Sequence, residues 1–188
     1  MRHKLTGSTM SVKLILLCLI ILLSAGCITK EDNNMENISI SSDGFKEGDM
    51  IPDKFTCEGK DISPSLSWKG IPAGTKSIAL VMDDPDAPGG TFVHWVLYNM
   101  PAKTLKLPEG MPCNQTLEDG SMQGMTGFGR AGYGGPCPPP GKPHRYYFKV
   151  YALDIKIDLP PGASKNQLES SMKGHILTNG VLMGKYQR

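Results

Sequence analysis

The 188 residues are enough for one well-cored domain and too few for two once a leader is subtracted. Apolar residues make up 39%, charged residues 20% and aromatics 7%, which excludes a disordered chain, a polytopic membrane protein and a coiled coil. The formal charge of +2 comes from the start of the chain: the first 26 residues hold Arg2, Lys4 and Lys13 and no acid, and the remainder carries 17 basic against 18 acidic residues. A nucleic-acid binder that works by neutralising phosphates needs a basic excess, and there is none.

Leu14 to Ala25 reads LILLCLIILLSA, an unbroken apolar run with Lys13 before it. It is shorter than the roughly 20 residues that cross a bilayer as a helix, and it matches a secretory h-region with a small-residue cleavage site. Cys27 follows directly. L-S-A-G-C resembles the lipobox of lipoproteins, whose cysteine becomes the lipidated first residue, and departs from it in carrying Ser24 where leucine is preferred. The expected organisation is a signal peptide over residues 1–26, a polar tether over 27–37 and one domain over 38–188. That places the domain on the extracytoplasmic face of the cell membrane, lipid-anchored, or secreted. Outside the cytoplasm thiols tend to pair, but Cys57, Cys113 and Cys137 are three, so at least one is left over.

Within the domain, Ser77–Met82 (SIALVM) is a short apolar run ended by DDPDAPGG, as for a strand buried on both faces. Phe92–Tyr98 (FVHWVLY) is a second strand, and a period of two puts Phe92, His94, Val96 and Tyr98 on one face. The stretch from Pro101 to His144 is rich in Gly, Pro and Met and has no periodicity; connections this long tend to carry function. Arg145–Leu153 is a third strand, with His144, Tyr146, Phe148 and Val150 sharing a face. Ser164-Lys-Asn-Gln167 is a capping box opening a helix over Leu168 and Met172. His175–Tyr186 reads partly as strand. Several strands, irregular connections and one late helix predict a mainly β single domain, a sheet sandwich.

Asp83, Asp84 and Asp86 crowd the end of the first of these strands, and three carboxylates so close repel unless each is neutralised or hydrogen-bonded. Turn chemistry is the plain reading for Asp83. Asp84 and Asp86 stand at the rim where His94 emerges. One histidine on an apolar strand face is ordinarily a satisfied core residue. Two, His94 and His144, leading onto neighbouring strands beside carboxylates and a Gly/Pro loop, make a constellation suited to a small anion, because imidazoles held on one nitrogen offer the other as a fixed donor. The loop Gly132–Gly141 (GYGGPCPPPG) supplies a wall. Metal and hydrolase motifs of the H-E-x-x-H and G-x-S-x-G kind are missing, so no cofactor or metal is called for and the expected protein is not an enzyme.

FTCEGKDISPSLSW (Phe55–Trp68), DPDAPGGTFVHWVLYNMP (Asp84–Pro101) and GYGGPCPPPGKPHRYYFKVYALD (Gly132–Asp154) together resemble the three sequence blocks of the phosphatidylethanolamine-binding protein family, in particular its YbhB-like bacterial and archaeal branch. The resemblance covers nearly all of Ile38–Arg188. It implies a large antiparallel sheet packed on a smaller one with one or two peripheral helices, and a small anion pocket formed by Asp84, Asp86, His94, Pro138 and His144, with Tyr186 standing in for a C-terminal pocket tyrosine. It also implies a Cys57–Cys137 disulfide with Cys113 free, and Arg145 bracing an acid rather than touching ligand. The implied function is non-enzymatic binding of a phosphate- or carboxylate-bearing group, such as a phospholipid head group. The alternatives are modulation of a protease or kinase through the same pocket, with a protein target not specified by the sequence, and weak phosphoester hydrolysis.

Overall fold

The computed structural model describes residues 37–188; the leader, Cys27 and all but the last residue of the tether lie outside the described residues. Among the described residues nine strands and one α-helix follow in order: β1 Ser39–Ser41, β2 Leu66–Lys69, β3 Ser77–Asp84, β4 Phe92–Pro101, β5 Lys106–Leu107, β6 Met122–Met125, β7 His144–Leu153, β8 Gly162–Ser164, α1 Lys165–Met172 and β9 Ile176–Tyr186. The large sheet runs β8-β6-β4-β3-β7-β9 and the small one β1-β2-β5. Both are antiparallel except for the β6–β8 edge, which is parallel. A mainly β fold of two sheets with a peripheral helix is what the sequence predicts.

Two apolar layers hold the large sheet. Between the sheets, Leu66 and Trp68 of β2 meet Leu80 and Met82 of β3, Trp95 and Leu97 of β4, and Tyr146, Phe148 and Val150 of β7. On the outer face, Ala79 and Val81 of β3 and Val96 and Tyr98 of β4 pack under Leu168 and Met172 of α1. Strand β3 is therefore buried at every position, which explains why it reads as an uninterrupted apolar run. The helix begins where the capping box puts it: Ser164 Oγ accepts from the Gln167 amide, and Gln167 Oε1 accepts from the Ser164 amide at 2.9 Å.

The period-two reading of Phe92–Tyr98 fails at one point, and the site depends on that failure. Met82 pairs with Trp95 but the next residue, Asp83, pairs with Val93, so His94 is an extra residue bulged out of the ladder. Val93, Val96 and Tyr98 serve the helix-side layer, while Trp95 and Leu97 serve the layer between the sheets. Phe92 and His94 thus leave the face of Val96 and Tyr98, and His94 stacks edge-on against Tyr146, a member of the inter-sheet layer, at 5.2 Å. In β7 the count holds, since Tyr146, Phe148 and Val150 share that layer and His144 leads into it. His175–Tyr186, only partly strand by sequence, forms β9 from Ile176 and pairs with β7 from His144 to Leu153.

Leu80 is fully buried between the sheets. Leu80→Ala should cost about 2–5 kcal/mol of unfolding free energy by denaturant titration, and a loss below about 1 kcal/mol would contradict that packing.

Candidate functional site

At one end of the large sheet a cavity of about 270 Å³ is lined by Asp84 from β3, Phe92 and His94 from β4, and His144 and Tyr146 from β7. The connections close it with Ala87, Pro88, Phe128, Cys137, Pro138 and Pro139. Of the residues singled out by sequence, Asp84, His94, Pro138 and His144 therefore meet at one place. Asp86 and Tyr186 are not among the lining residues. Tyr186 pairs with His144 across β7–β9, but its hydroxyl donates to Asp53 Oδ1 at 3.1 Å. Asp86 is engaged by Arg145, whose Nε, Nη2 and backbone amide donate to it at 2.8, 2.7 and 2.9 Å. Arg145 thus braces an acid at the rim.

The two imidazoles are held differently. His144 Nδ1 donates to Asp84 Oδ2 at 2.8 Å, a pairing of two buried side chains. Asp84 Oδ1 accepts from the Asp86 amide at 2.8 Å, which fixes the carboxylate in turn. His94 has no aspartate partner; its Nδ1 lies 2.7 Å from the Gly134 carbonyl, and because a carbonyl only accepts, Nδ1 carries the proton. In both rings Nδ1 is committed to the protein, so Nε2 is the nitrogen left for a ligand. Burial holds the His94 pKa below the ordinary histidine value, against opposing pulls from the Gly134 carbonyl and Asp84, which favours the neutral ring. Burial, and next the Asp84 charge, push the Tyr146 phenol far above the usual tyrosine range.

The Tyr146 hydroxyl is buried next to the Asp84 carboxylate without a hydrogen bond of regular geometry among the described residues, and its side chain lines the cavity. A buried hydroxyl without such a bond is costly, and a bound polar group is the simplest way to satisfy it. Sequence reading assigned Tyr146 to an apolar strand face, because nothing in the period of two separates a core tyrosine from one with a free hydroxyl. Phe92 and Phe128, 4.8 Å apart edge to face, form an apolar side of the cavity that was equally missed. Gly134 permits this packing: a Cβ there would stand 2.4 Å from the Phe128 ring. Cys57 and Cys137 are joined with Cα atoms 5.4 Å apart, tying the segment after Phe55 to the cavity wall, while Cys113 is free and exposed. Among the described residues no three His, Cys, Asp or Glu side chains group to hold a metal.

A two-sheet fold with a histidine- and aspartate-lined cavity at the sheet end defines a class of small binding domains. The phosphatidylethanolamine-binding protein family model matches residues 41–187, and the chain belongs to that family. The UPF0098 protein of Aquifex aeolicus is 50% identical over 153 residues, covering 80% of this chain and 89% of the relative. The corresponding Pyrococcus horikoshii protein is 45% identical over 177 residues, covering 93% and 88%. Among solved structures, E. coli YbcL, a member of the mammalian PEBP family, superposes with a TM-score of 0.76 at 36% identity, covering 81% of this chain and 99% of its own.

Two measurements check the site's covalent and ionic ties. Of the three cysteines in residues 38–188, only Cys113 should react with a thiol reagent in the folded oxidised protein; a second reactive thiol would break the Cys57–Cys137 assignment. The Arg145 hydrogen bonds lower the Asp86 pKa from 3.8 to about 2. A depressed acid stabilises the fold above its unfolded value and loses that contribution as pH falls through the folded one. Wild type should therefore lose stability to Asp86→Asn progressively between about pH 4 and pH 2, and parallel stability curves for the two in that window would contradict the pairing.

Proposed function

We propose that this domain is a non-enzymatic binding module that takes a small anionic group, a phosphate or carboxylate, in the histidine cavity. The observation that carries the reading is the commitment of both Nδ1 atoms to protein acceptors beside a buried Tyr146 hydroxyl that makes no regular hydrogen bond. Two ring nitrogens and one hydroxyl are thereby left around a space of about 270 Å³, room for a head group rather than for a whole lipid. Phe92, Phe128 and the prolines exclude water, which strengthens each charge-assisted bond. Asp84 is already occupied by His144 and the Asp86 amide, so the ligand's negative charge is met by imidazole protons and not opposed by a bare carboxylate. The family's name points to the same ligand chemistry, a phosphate on a phospholipid head group. The leader and Cys27 support placing the module outside the cytoplasm, held at the membrane by lipid.

Because burial favours the neutral His94 ring, anion capture takes up a proton on Nε2. The sign follows: an anion stabilises the imidazolium and raises the bound-state pKa, so affinity grows as pH falls and levels off once the free ring is already protonated. Sulfate keeps its charge over this range and serves as the probe. Its affinity should rise from about pH 8 to about pH 5, and phosphate titration should move the ring signals of His94 and His144. His175, roughly 30 Å along the β7–β9 ribbon from His144, should stay still. Unchanged rings at positions 94 and 144 up to millimolar phosphate would refute the assignment.

A further inference from the structure

The cavity wall that orients His94 is itself hung on two residues outside the cavity, Asp61 and Arg130. Asp61 Oδ1 accepts the Gly135 amide at 2.6 Å and its Oδ2 accepts Arg130 Nη2 at 3.1 Å. Arg130 Nη1 donates to the Tyr133 carbonyl at 2.7 Å. The peptide units on both sides of Gly134 are thus gripped by one ion pair. Gly134 lies between them, and it closes a reciprocal pair with β4: its amide donates to the His94 carbonyl at 3.0 Å and its carbonyl takes the His94 Nδ1 proton at 2.7 Å. Asp61 makes its contacts from a left-handed backbone, φ 52°, one of two non-glycine residues with positive φ among the described residues. Such strain persists where surrounding contacts impose it and is concentrated at functional sites.

We propose that Asp61 and Arg130 are positioning residues for anion capture: they fix the Gly134 carbonyl, and through it the single proton-bearing nitrogen of His94, so that Nε2 meets the anion. The proposal rests on the anion-binding reading above and adds to it the device that prepares one imidazole. Without the pair, the run Gly132-Tyr133-Gly134-Gly135 holds three glycines whose backbone is free to turn the carbonyl away. The His94 Nδ1 proton would then lose its acceptor, which weakens the doubly protonated ring that meets an anion and lets the free ring exchange between Nδ1–H and Nε2–H forms. Arg130 also lies over the Phe128 ring, 5.8 Å from its centre, and so steadies the apolar side that contacts His94. The charged and titratable groups around the His94 ring are Asp84 from β3, His144 and Tyr146 from β7, and Asp61 from the segment before β2. Asp61 is the one of these that acts without touching the cavity, and its negative charge favours the imidazolium.

The test uses the protein labelled with 15N-histidine. Nitrogen–proton correlation spectra read the His94 tautomer without ligand, and sulfate titration reads affinity. Wild type should show Nδ1–H alone. Asp61→Ala should give mixed tautomers and weaken sulfate by about ten- to a hundredfold, the usual scale for losing an outer partner of a liganding histidine. Asp61→Asn keeps an oxygen for the Gly135 amide, so it should retain the tautomer while moving the pH midpoint of sulfate binding downward, a shift that a purely structural staple would not produce. If Asp61→Ala does not fold, Arg130→Gln is read on the same spectra, with mixed tautomers expected. A pure Nδ1–H signal in Asp61→Ala or Arg130→Gln, with sulfate affinity within about twofold of wild type, overturns the proposal. A wild type that shows the single tautomer and binds no sulfate refutes anion binding instead, so the two failures are distinguishable.

Discussion

The bulge at His94 is the constraint on which the cavity depends. A regular strand would carry His94 to the face opposite Trp95, because successive side chains alternate. The inserted residue puts His94 beside Tyr146 and within reach of Gly134, while Trp95 keeps its place between the sheets. Bulges cost a ladder hydrogen bond and bend the strand. Here the freed backbone is used again, since the His94 carbonyl accepts the Gly134 amide and the Val93 carbonyl accepts the Gly127 amide. The loop that walls the cavity is attached through the same irregularity that turns the histidine.

The acids at the end of β3 show how one short segment serves both faces of a sheet. Asp83 turns to the helix side, where Lys149 and Lys165 approach it at 2.8 and 2.5 Å. Asp84, one residue on, turns to the cavity and holds His144, and Asp86, beyond Pro85, holds Arg145. Each carboxylate thus has its own basic partner, which removes the mutual repulsion that the sequence D-D-P-D implies. Breaking one such pair in the buried layer would leave an unpaired charge, which is far more damaging than losing a surface ion pair.

Much of this was legible in the sequence, and what was not has physical causes. Strand β3 was readable because burial on both faces leaves an unbroken apolar run, and α1 because its capping box is a local signal. The alternation of β7 held to the last residue. The alternation of β4 did not, since one inserted residue reverses every later assignment and leaves no mark in residue type. Strands β5 and β6 were lost within the aperiodic stretch because, at two and four residues, they are too short for a period to appear. Asp84, His94, Pro138 and His144 were found by combining strand faces with family resemblance, whereas Asp61 and Tyr146 were passed over. Asp61 lies inside a recognised block, but its role depends on a partner 69 residues away that no spacing rule predicts.

The segment from Asp53 to Asp61 explains why a cavity walled by glycine and proline can keep its shape. Cys57 is bonded to Cys137, and its amide donates to the Pro136 carbonyl at 3.1 Å. Glu58 holds Arg188 at 2.7 Å, and the Arg188 carbonyl accepts the Gly141 amide. Asp53 receives the Tyr186 hydroxyl, the Phe55 carbonyl receives the Tyr133 hydroxyl, and Asp61 receives the Gly135 amide. The wall loop is therefore anchored near residues 133, 135, 137 and 141 to one short stretch of chain and to the C-terminus. Prolines between the anchors add stiffness without further ordering on binding. A site built this way has met its conformational cost during folding, so the small ligand proposed for it would not be asked to order the loop and would find the two imidazole nitrogens already in place.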